Sequence, residues 1–232
     1  MKKDNILFGI IGLLVGLIAG FFFANSVNQN ALMLSQQGAA QTGALPGNHP
    51  AIPGSNSNGG AVPEVQAAIE NARANQDDFD AQLKAAELFY QIQRFDGAIE
   101  FLKKANQIKP DNYDVLVSLG NANFDSSKYE EAEKWYSSAL TQRPDDLNVR
   151  TDLGLTFVFR EKPNFDRAIA EFKRVLSSNA DHPQALQNLT VAYTKKGDLA
   201  NAKATLEKLS QVAPTNEAIP QLRSEIEKLE KK

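Results

Sequence analysis

The chain has 232 residues, with 25 Lys and Arg against 28 Asp and Glu, a formal net charge of −3, no cysteine and two histidines. A chain without a basic excess gives no general electrostatic reason to expect nucleic-acid binding. The absence of cysteine excludes disulfides, thiolate-ligated zinc, iron–sulfur clusters and cysteine nucleophiles, and two distant histidines do not suit a metal or haem site.

Residues 6–24 form an apolar stretch without one charged or strongly polar side chain. As a helix these residues would measure about 28 Å, close to the hydrocarbon thickness of a bilayer. Lys2 and Lys3 precede the stretch, and the next basic residue is Arg73. By the positive-inside rule we expect a single-pass anchor in the cytoplasmic membrane, with residues 1–5 in the cytoplasm and the rest in the periplasm or extracytoplasmic space. A cleaved secretory signal is the open alternative, and it would export the same domain.

Three glycines recur every four residues within this stretch, at Gly12, Gly16 and Gly20. Residues spaced in this way lie on one face of a helix and allow a second helix to approach closely. The spacing is typical of self-association or lateral pairing, although glycine is also common in membrane helices for other reasons. A homo-oligomer through this face is therefore one possible assembly.

Residues 25–63 hold no Asp, Glu, Lys or Arg and are rich in Asn, Gln, Gly, Ser, Ala and Pro. Such a composition buries too little apolar surface to offset the conformational entropy of the chain. We expect a disordered linker that spans roughly 35 Å as a flexible coil. His49 falls in this linker, where a solvated side chain is the simplest interpretation.

The remaining residues, 64–232, repeat a pattern at a fixed interval. Pro110 and Pro144 follow similar strings and lie 34 residues apart, and Pro214 follows 70 residues later with Ala180 at the intermediate junction. A period of this length indicates a solenoid of helical hairpins. Two extra residues in the third unit fall near 161–164, where a turn between helices can absorb them.

Small residues recur at the same register in each unit. Helices of a hairpin cross closely only where side chains are small, and larger residues fill the space beside the crossing. The small positions are Ala86, Gly120, Gly154, Ala98, Ala132, Ala168 and Ala202. The larger residues that follow four positions after each alanine of the second helix are Leu102, Tyr136, Phe172 and Leu206.

With this period and these small residues, the chain resembles the tetratricopeptide repeat family over about residues 79–214. The resemblance implies an all-α, right-handed superhelical solenoid within a domain of residues 64–232. Four repeats are expected at 79–112, 113–146, 147–182 and 183–216, with capping helices at 64–75 and 217–230. The consensus tryptophan is absent, with Gln82 and Arg150 as its least expected substitutes, and Asn123 and Thr190 also depart from the family pattern, so we expect imperfect packing there.

By the same resemblance, the first helix of each repeat lines a concave groove that receives a peptide or helix. The groove residues that we single out are Leu83, Glu87, Tyr90, Val117, Asn121, Phe124, Thr151, Leu155, Val158, Gln187, Val191 and Thr194. Charged residues facing the groove are Asp80, Glu87, Asp114, Asp125 and Asp152, against Lys84 and Lys195. An apolar and mildly acidic groove suits an amphipathic helix or peptide with some positive charge. Some of the apolar residues could instead pack between neighbouring repeats.

No catalytic motif is present, so we expect neither an enzyme nor a cofactor, metal or nucleic-acid site. His182 stands at a repeat junction, where a cap or surface role is the usual one. The combination of anchor, linker and repeat array resembles membrane-anchored bacterial envelope proteins. We therefore expect a membrane-tethered adaptor or chaperone-like scaffold that binds a protein in envelope assembly or protein maturation. The alternatives are a factor that holds apoprotein in cytochrome c biogenesis and a structural, self-assembling membrane protein.

Overall fold

The computed structural model describes residues 63–231. The expected cytoplasmic segment, the anchor with Gly12, Gly16 and Gly20, and the linker up to residue 62 lie outside the described residues. No helix among residues 63–231 is both long and apolar enough to cross a bilayer.

The described part of the chain consists of helices joined by short turns, and the expected all-helical solenoid is confirmed. The helices are α1 (Pro63–Ala74), α2 (Phe79–Gln91), α3 (Phe95–Ile108), α4 (Tyr113–Asp125), α5 (Tyr129–Gln142), α6 (Leu147–Phe159), α7 (Phe165–Ser178), α8 (Pro183–Lys196), α9 (Leu199–Val212) and α10 (Ile219–Glu230).

Each helix packs against the next one along the chain, so that α2–α3, α4–α5, α6–α7 and α8–α9 form four hairpins. Helix α1 packs on α2, and α10 packs on α9 and α8. Buried side chains of these two outer helices, such as Val65 and Ala72 in α1 and Leu222 and Ile226 in α10, cover the apolar ends of the stack. The helices α2, α4, α6 and α8 are the first helices of the four hairpins. We call the side of these helices that holds the predicted groove residues, from Leu83 to Thr194, the first-helix face.

A side-chain cap starts each of these first helices. Asp78, Asn112, Asp146 and His182 stand immediately before α2, α4, α6 and α8, and each accepts a hydrogen bond from a backbone N–H of the first turn. Capping of this kind satisfies donors that have no partner within the helix. His182 is therefore a helix cap, with Nδ1 3.2 Å from the amide nitrogen of Ala185.

In the second and third hairpins the two helices approach most closely at a glycine of the first helix. A Cβ atom added to Gly120 would overlap the ring of Tyr136, and one added to Gly154 would overlap the ring of Phe172. Both rings are almost completely buried. The first and fourth hairpins carry Ala86 and Thr190 at the glycine position, and leucines, Leu102 and Leu206, in place of the rings. A larger residue on the first helix is thus accompanied by a smaller residue on the second helix.

Two clusters of buried apolar residues form the core. One lies mainly within the first two hairpins, and the other extends from the second hairpin to α10. Trp135, the single tryptophan of the chain, packs against both clusters. The core is therefore continuous along the stack.

The turn between α6 and α7 holds the two extra residues of the third unit. It spans residues 160–164, whereas three residues separate α2 from α3 and α4 from α5. Arg160 and Arg167 flank this turn and form ion pairs of 2.6 and 2.8 Å with Glu133 of α5. The longer turn thus links the third hairpin to the second.

The side chains that depart from the family pattern form hydrogen bonds of different kinds. Gln82 is fully buried and its Nε2 donates to the carbonyls of Ala72 and Asn75 at the end of α1, while its Oε1 has no partner among the described residues. Thr190 and Asn123 donate to carbonyls of the preceding turn of their own helices. Arg150 donates to Glu171 across the hairpin at 2.9 Å.

The close approach of Gly154 to the ring of Phe172 can be tested with a double mutant in the third hairpin. Gly154→Ala should lower the free energy of unfolding by about 1–3 kcal/mol, because the new methyl overlaps Phe172. Phe172→Leu alone should lower it by about 1 kcal/mol through a small cavity. The double variant should be more stable than the sum of these effects predicts, as urea unfolding followed by circular dichroism will show.

The matched control lies in the first hairpin, where an alanine already occupies the glycine position. Leu102→Phe should be destabilising there by a similar amount, because Ala86 leaves no room for a ring. Strict additivity in the third hairpin, or a neutral Leu102→Phe, would contradict the size match.

Candidate protein-binding groove

The first-helix face buries more of the predicted groove residues than the sequence pattern indicates. Glu87 is exposed, and six residues are half-buried: Leu83, Tyr90, Val117, Asn121, Phe124 and Val191. The other five are buried: Thr151, Leu155, Val158, Gln187 and Thr194. These five lie in the third and fourth hairpins and fill space between helices, so in this conformation the accessible part of the face lies mainly over α2 and α4. Their role in binding a partner stays a prediction.

The polar members of this buried group are held by the chain itself. Thr151 and Thr194 donate to carbonyls of their own helices at 2.7 and 2.8 Å. Gln187 accepts a hydrogen bond from Asn216, which precedes α10, at 2.9 Å. These contacts give the three side chains a structural role in the stack.

Aromatic residues line the ends of α4 and α6. Phe124 packs edge-to-face against Tyr129 and Phe159, with ring centroids 5.2 and 6.0 Å apart. The same arrangement relates Tyr90 to Phe95 in the first hairpin, at 5.2 Å. Phe124 therefore packs between the second and third hairpins. This agrees with the alternative that some apolar residues of the predicted groove pack between neighbouring repeats.

Tyrosine hydroxyls bridge successive hairpins by bonding to carboxylates. Tyr90 of α2 donates to Asp125 of α4, and Tyr113 of α4 donates to Asp146 at 2.6 Å. Within the second hairpin Tyr136 donates to Asn121 at 2.8 Å. Burial and the nearby carboxylates raise the pKa of all three phenols far above the ordinary value, so the hydroxyls stay protonated and act as donors.

Asp125 and Asp146 accept hydrogen bonds from these hydroxyls, and the charge of Asp152 acts on the phenols of Tyr90 and Tyr136. We call these three carboxylates the acidic cluster. Burial, together with the smaller contributions of the charges of Asp146 and Asp125, raises the pKa of Asp152 to about 7. Burial also raises the pKa of Asp125, although the hydrogen bond from Tyr90 opposes this shift. No Lys or Arg of residues 63–231 lies within ion-pair distance of the three carboxylates.

Sequence reasoning placed Asp125 and Asp152 on the first-helix face but did not identify the acidic cluster. Asp146 lies at the junction between the second and third repeats, and its side chain caps the start of α6. Its approach to Asp152 depends on the fold of the turn before α6, and the pairing of Tyr90 with Asp125 spans 35 residues. Only the acidic excess on this face signalled the cluster in advance.

Other sites are less suited to a ligand. A pocket of about 400 Å³ lies between α9 and α10, where Lys203, Arg223 and Glu227 line it together with Ile226. Among residues 63–231 no three carboxylate or imidazole groups are arranged to hold a metal ion. The first-helix face is therefore the best candidate for binding.

Known proteins resemble this chain in its repeats. Two models described as tetratricopeptide repeat match it, one over residues 93–153 and 160–226 and the other over residues 55–113. The BBSome complex member BBS4 of Bos taurus is 26% identical over 119 residues, which are 51% of this chain and 22% of that protein. The chain spans less than half the length of the curated relatives it matches.

Solved structures agree with these matches. A crystal structure of PilW, a type IV pilus biogenesis factor, aligns with a TM-score of 0.60 at 21% identity and covers 71% of this chain and 76% of PilW. MamA residues 41–end from Desulfovibrio magneticus RS-1 align with a TM-score of 0.59 at 15% identity, over 66% of this chain and 85% of that one. At these identities the likeness shows the fold.

The raised pKa of Asp152 makes stability depend on pH in a direction opposite to that of an ordinary carboxylate. Between an unfolded value near 3.8 and a folded value near 7, the folded state binds more protons than the unfolded one. The contribution of Asp152 to the free energy of unfolding therefore falls as pH rises through this window. At pH 8 Asp152→Asn should be more stable than the wild type by roughly 4 kcal/mol, and at pH 4 the two should differ little.

Urea unfolding of both proteins from pH 4 to 8 measures this difference. Taking the difference cancels the other titrating groups, including His182, whose pKa is lowered by burial. Asp114→Asn, an exposed carboxylate on α4, is the matched control and should show no such dependence. A constant difference between Asp152→Asn and wild type across this range would contradict the assignment.

Proposed function

The chain belongs to the tetratricopeptide repeat family of protein-interaction scaffolds, and we propose that it is a membrane-tethered adaptor whose first-helix face binds a protein partner. The partner presents an amphipathic helix or an extended peptide with positive charge. Its binding serves the assembly of the cell envelope or the maturation of exported proteins. The domain is not expected to carry out chemistry of its own.

The observation that carries the binding proposal is the acidic cluster. It lies on the face that this family uses for peptides, and none of its carboxylates forms an ion pair with a Lys or Arg of residues 63–231. Half-buried apolar residues such as Leu83, Val117 and Val191 lie on the same face. A surface with apolar side chains and uncompensated negative charge complements an amphipathic, basic segment.

Membrane tethering rests on the sequence alone. The 19 apolar residues 6–24 follow Lys2 and Lys3, and the linker to residue 63 separates them from the repeats. This arrangement supports an anchor in the cytoplasmic membrane with the repeats in the periplasm or extracytoplasmic space. Pairing of anchors through Gly12, Gly16 and Gly20 would bring two first-helix faces to one site.

Site-specific photo-crosslinking of the full-length protein in its native membrane tests the binding face. A photoreactive residue at Glu87 or Val117, on the first-helix face, should give a defined crosslinked protein. The same residue at Glu130, exposed on the second helix α5, should not. Crosslinks only between copies of this chain would favour self-assembly, and equal capture at Glu130 would contradict a binding face.

Charge reversal measures the contribution of the acidic surface to the captured complex. Asp114→Arg, on α4, should weaken the affinity for the purified partner about tenfold, because it opposes the positive charge of the partner. Glu130→Arg makes the same change on the opposite helix layer and should leave the affinity unchanged. Both positions are exposed, so neither variant disturbs the core. An unchanged affinity for Asp114→Arg would exclude a basic segment as the ligand.

A reporter fusion after Lys232 tests the orientation. A reporter that is active only outside the cytoplasm should be active in this fusion, and a tag before Lys2 should remain on the membrane-bound protein if the anchor is not cleaved. Replacing Lys2 and Lys3 by Asn while placing lysines at Ser26 and Asn28 should reverse or abolish export. Unchanged reporter activity in this variant would contradict the role of the two lysines.

A further inference from the structure

The turns of the repeats lie at two opposite edges, because successive helices run in opposite directions. The turns within hairpins form one edge, at residues 92–94, 126–128, 160–164 and 197–198. The turns between neighbouring units form the other edge, at residues 75–78, 109–112, 143–146, 179–182 and 213–218. Helix α1 joins α2 through one of the latter turns, so its first residue, Pro63, lies at the edge of the former. We call the edge with Pro63 the entry edge and the other the junction edge.

Charge distinguishes the two edges. The turns of the entry edge have an excess of cations: Arg94, Lys128, Arg160 and Lys162 against Glu161 and Asp198. The turns of the junction edge have an excess of carboxylates: Asp77, Asp78, Asp111, Asp145, Asp146, Asp181 and Glu217 against Lys109 and Arg143. Half-buried apolar residues start helices at both edges, as Phe95 and Phe79 do, so charge rather than hydrophobicity separates the edges.

Cations of the entry edge are accessible to a ligand outside the chain. Arg94 and Lys162 are exposed, as is Lys195 in the last turn of α8, and none of the three has a carboxylate of residues 63–231 within ion-pair distance. Lys128 and Lys196 do form ion pairs of 2.5 Å, but with exposed carboxylates. Water and salt weaken pairs of this kind, so they leave the two cations available to other anions.

The edges are far enough apart for a charged surface to act on one of them alone. A helix of 14 residues, such as α9, is about 20 Å long. The Debye length at physiological ionic strength is about 8 Å. An anionic surface in contact with the entry edge therefore attracts its cations while the carboxylates of the junction edge are screened from it. With the domain turned over, the same surface would repel the junction edge.

We propose that the entry edge lies on the anionic lipid headgroups of the membrane that holds the chain, and that the junction edge points away from the bilayer. This inference rests on the membrane anchor of the proposed function. Two observations support it: the chain enters the repeats at this edge, and the cations of the edge complement lipid phosphates. In this orientation the helices stand on the bilayer, and the first-helix face opens sideways to a partner in the space beside the membrane.

Single cysteines report the orientation, because the natural sequence contains none. Ala200→Cys lies beside the last turn of the entry edge, and Thr215→Cys lies in the last turn of the junction edge. Both positions are exposed and belong to the fourth repeat, far along the stack from Pro63, so the point where the chain enters does not by itself favour either. Each full-length variant carries a fluorophore and is placed in nanodiscs that contain phosphatidylglycerol and lipids with a nitroxide on the headgroup. The nitroxide should quench the label at 200 at least about threefold more than the label at 215, since the two edges are separated by the length of α9.

Neutral substitutions then isolate the charge. Arg94→Gln together with Lys162→Gln should reduce the quenching at 200 towards the value at 215, and so should nanodiscs of phosphatidylcholine alone or a salt concentration of about 1 M. Lys103→Gln together with Lys173→Gln removes two exposed cations from the middle of α3 and α7 and is the matched control. The control should leave the quenching unchanged. Circular dichroism checks that each variant is folded.

The outcomes separate this orientation from the proposed function. Equal quenching at 200 and 215 in a protein that stays in the nanodisc overturns the orientation and leaves the anchor intact. Quenching that does not change with Arg94→Gln and Lys162→Gln overturns the role of the cations. Disulfides between Ala200→Cys copies without quenching at 200 would identify a second copy as the occupant of the edge and overturn the proposal. Release of the wild-type protein from the nanodisc overturns the anchor and the proposed tethering as well.

Discussion

The stack depends on how closely the two helices of each hairpin can approach. In the second and third hairpins Gly120 and Gly154 leave room for a buried ring from the partner helix. The first and fourth hairpins carry Ala86 and Thr190 at the glycine position and leucines at the ring position. Because a larger residue on one helix is paired with a smaller residue on the other, repeats of different sequence can form similar hairpins, and stacking these hairpins produces the solenoid. The orientation of the first helices, and hence the binding face, follows from it.

The first-helix face is held together by hydrogen bonds between neighbouring hairpins. The hydroxyls of Tyr90 and Tyr113 connect neighbouring hairpins through carboxylates, which fixes the spacing of the first helices. The same carboxylates surround Asp152 with negative charge and leave it without a donor in the described chain.

The fold was largely predictable from local regularities, and the site was not. The spacing of Pro110 and Pro144 and the small residues between them predict paired helices, since these features depend only on the 34-residue period. The apolar residues Leu155 and Val158 share the register of Glu87 and Tyr90, yet they are buried. Periodicity tells which side of a helix a residue occupies, but not whether a neighbouring hairpin covers it. Contacts such as Tyr90 with Asp125 depend on the rotation between hairpins, which no pattern within one repeat encodes.

The longer turn of the third hairpin has a consequence for the order of the repeats during folding. Hairpins of similar sequence can pair with the wrong neighbour, and such errors are a known failure of repeat proteins. Glu133 is mostly buried and receives both Arg160 and Arg167 across the interface between the second and third hairpins. A chain that skipped the third hairpin would leave this carboxylate desolvated without its two arginines. These two ion pairs thus favour the third hairpin over the others as the neighbour of the second.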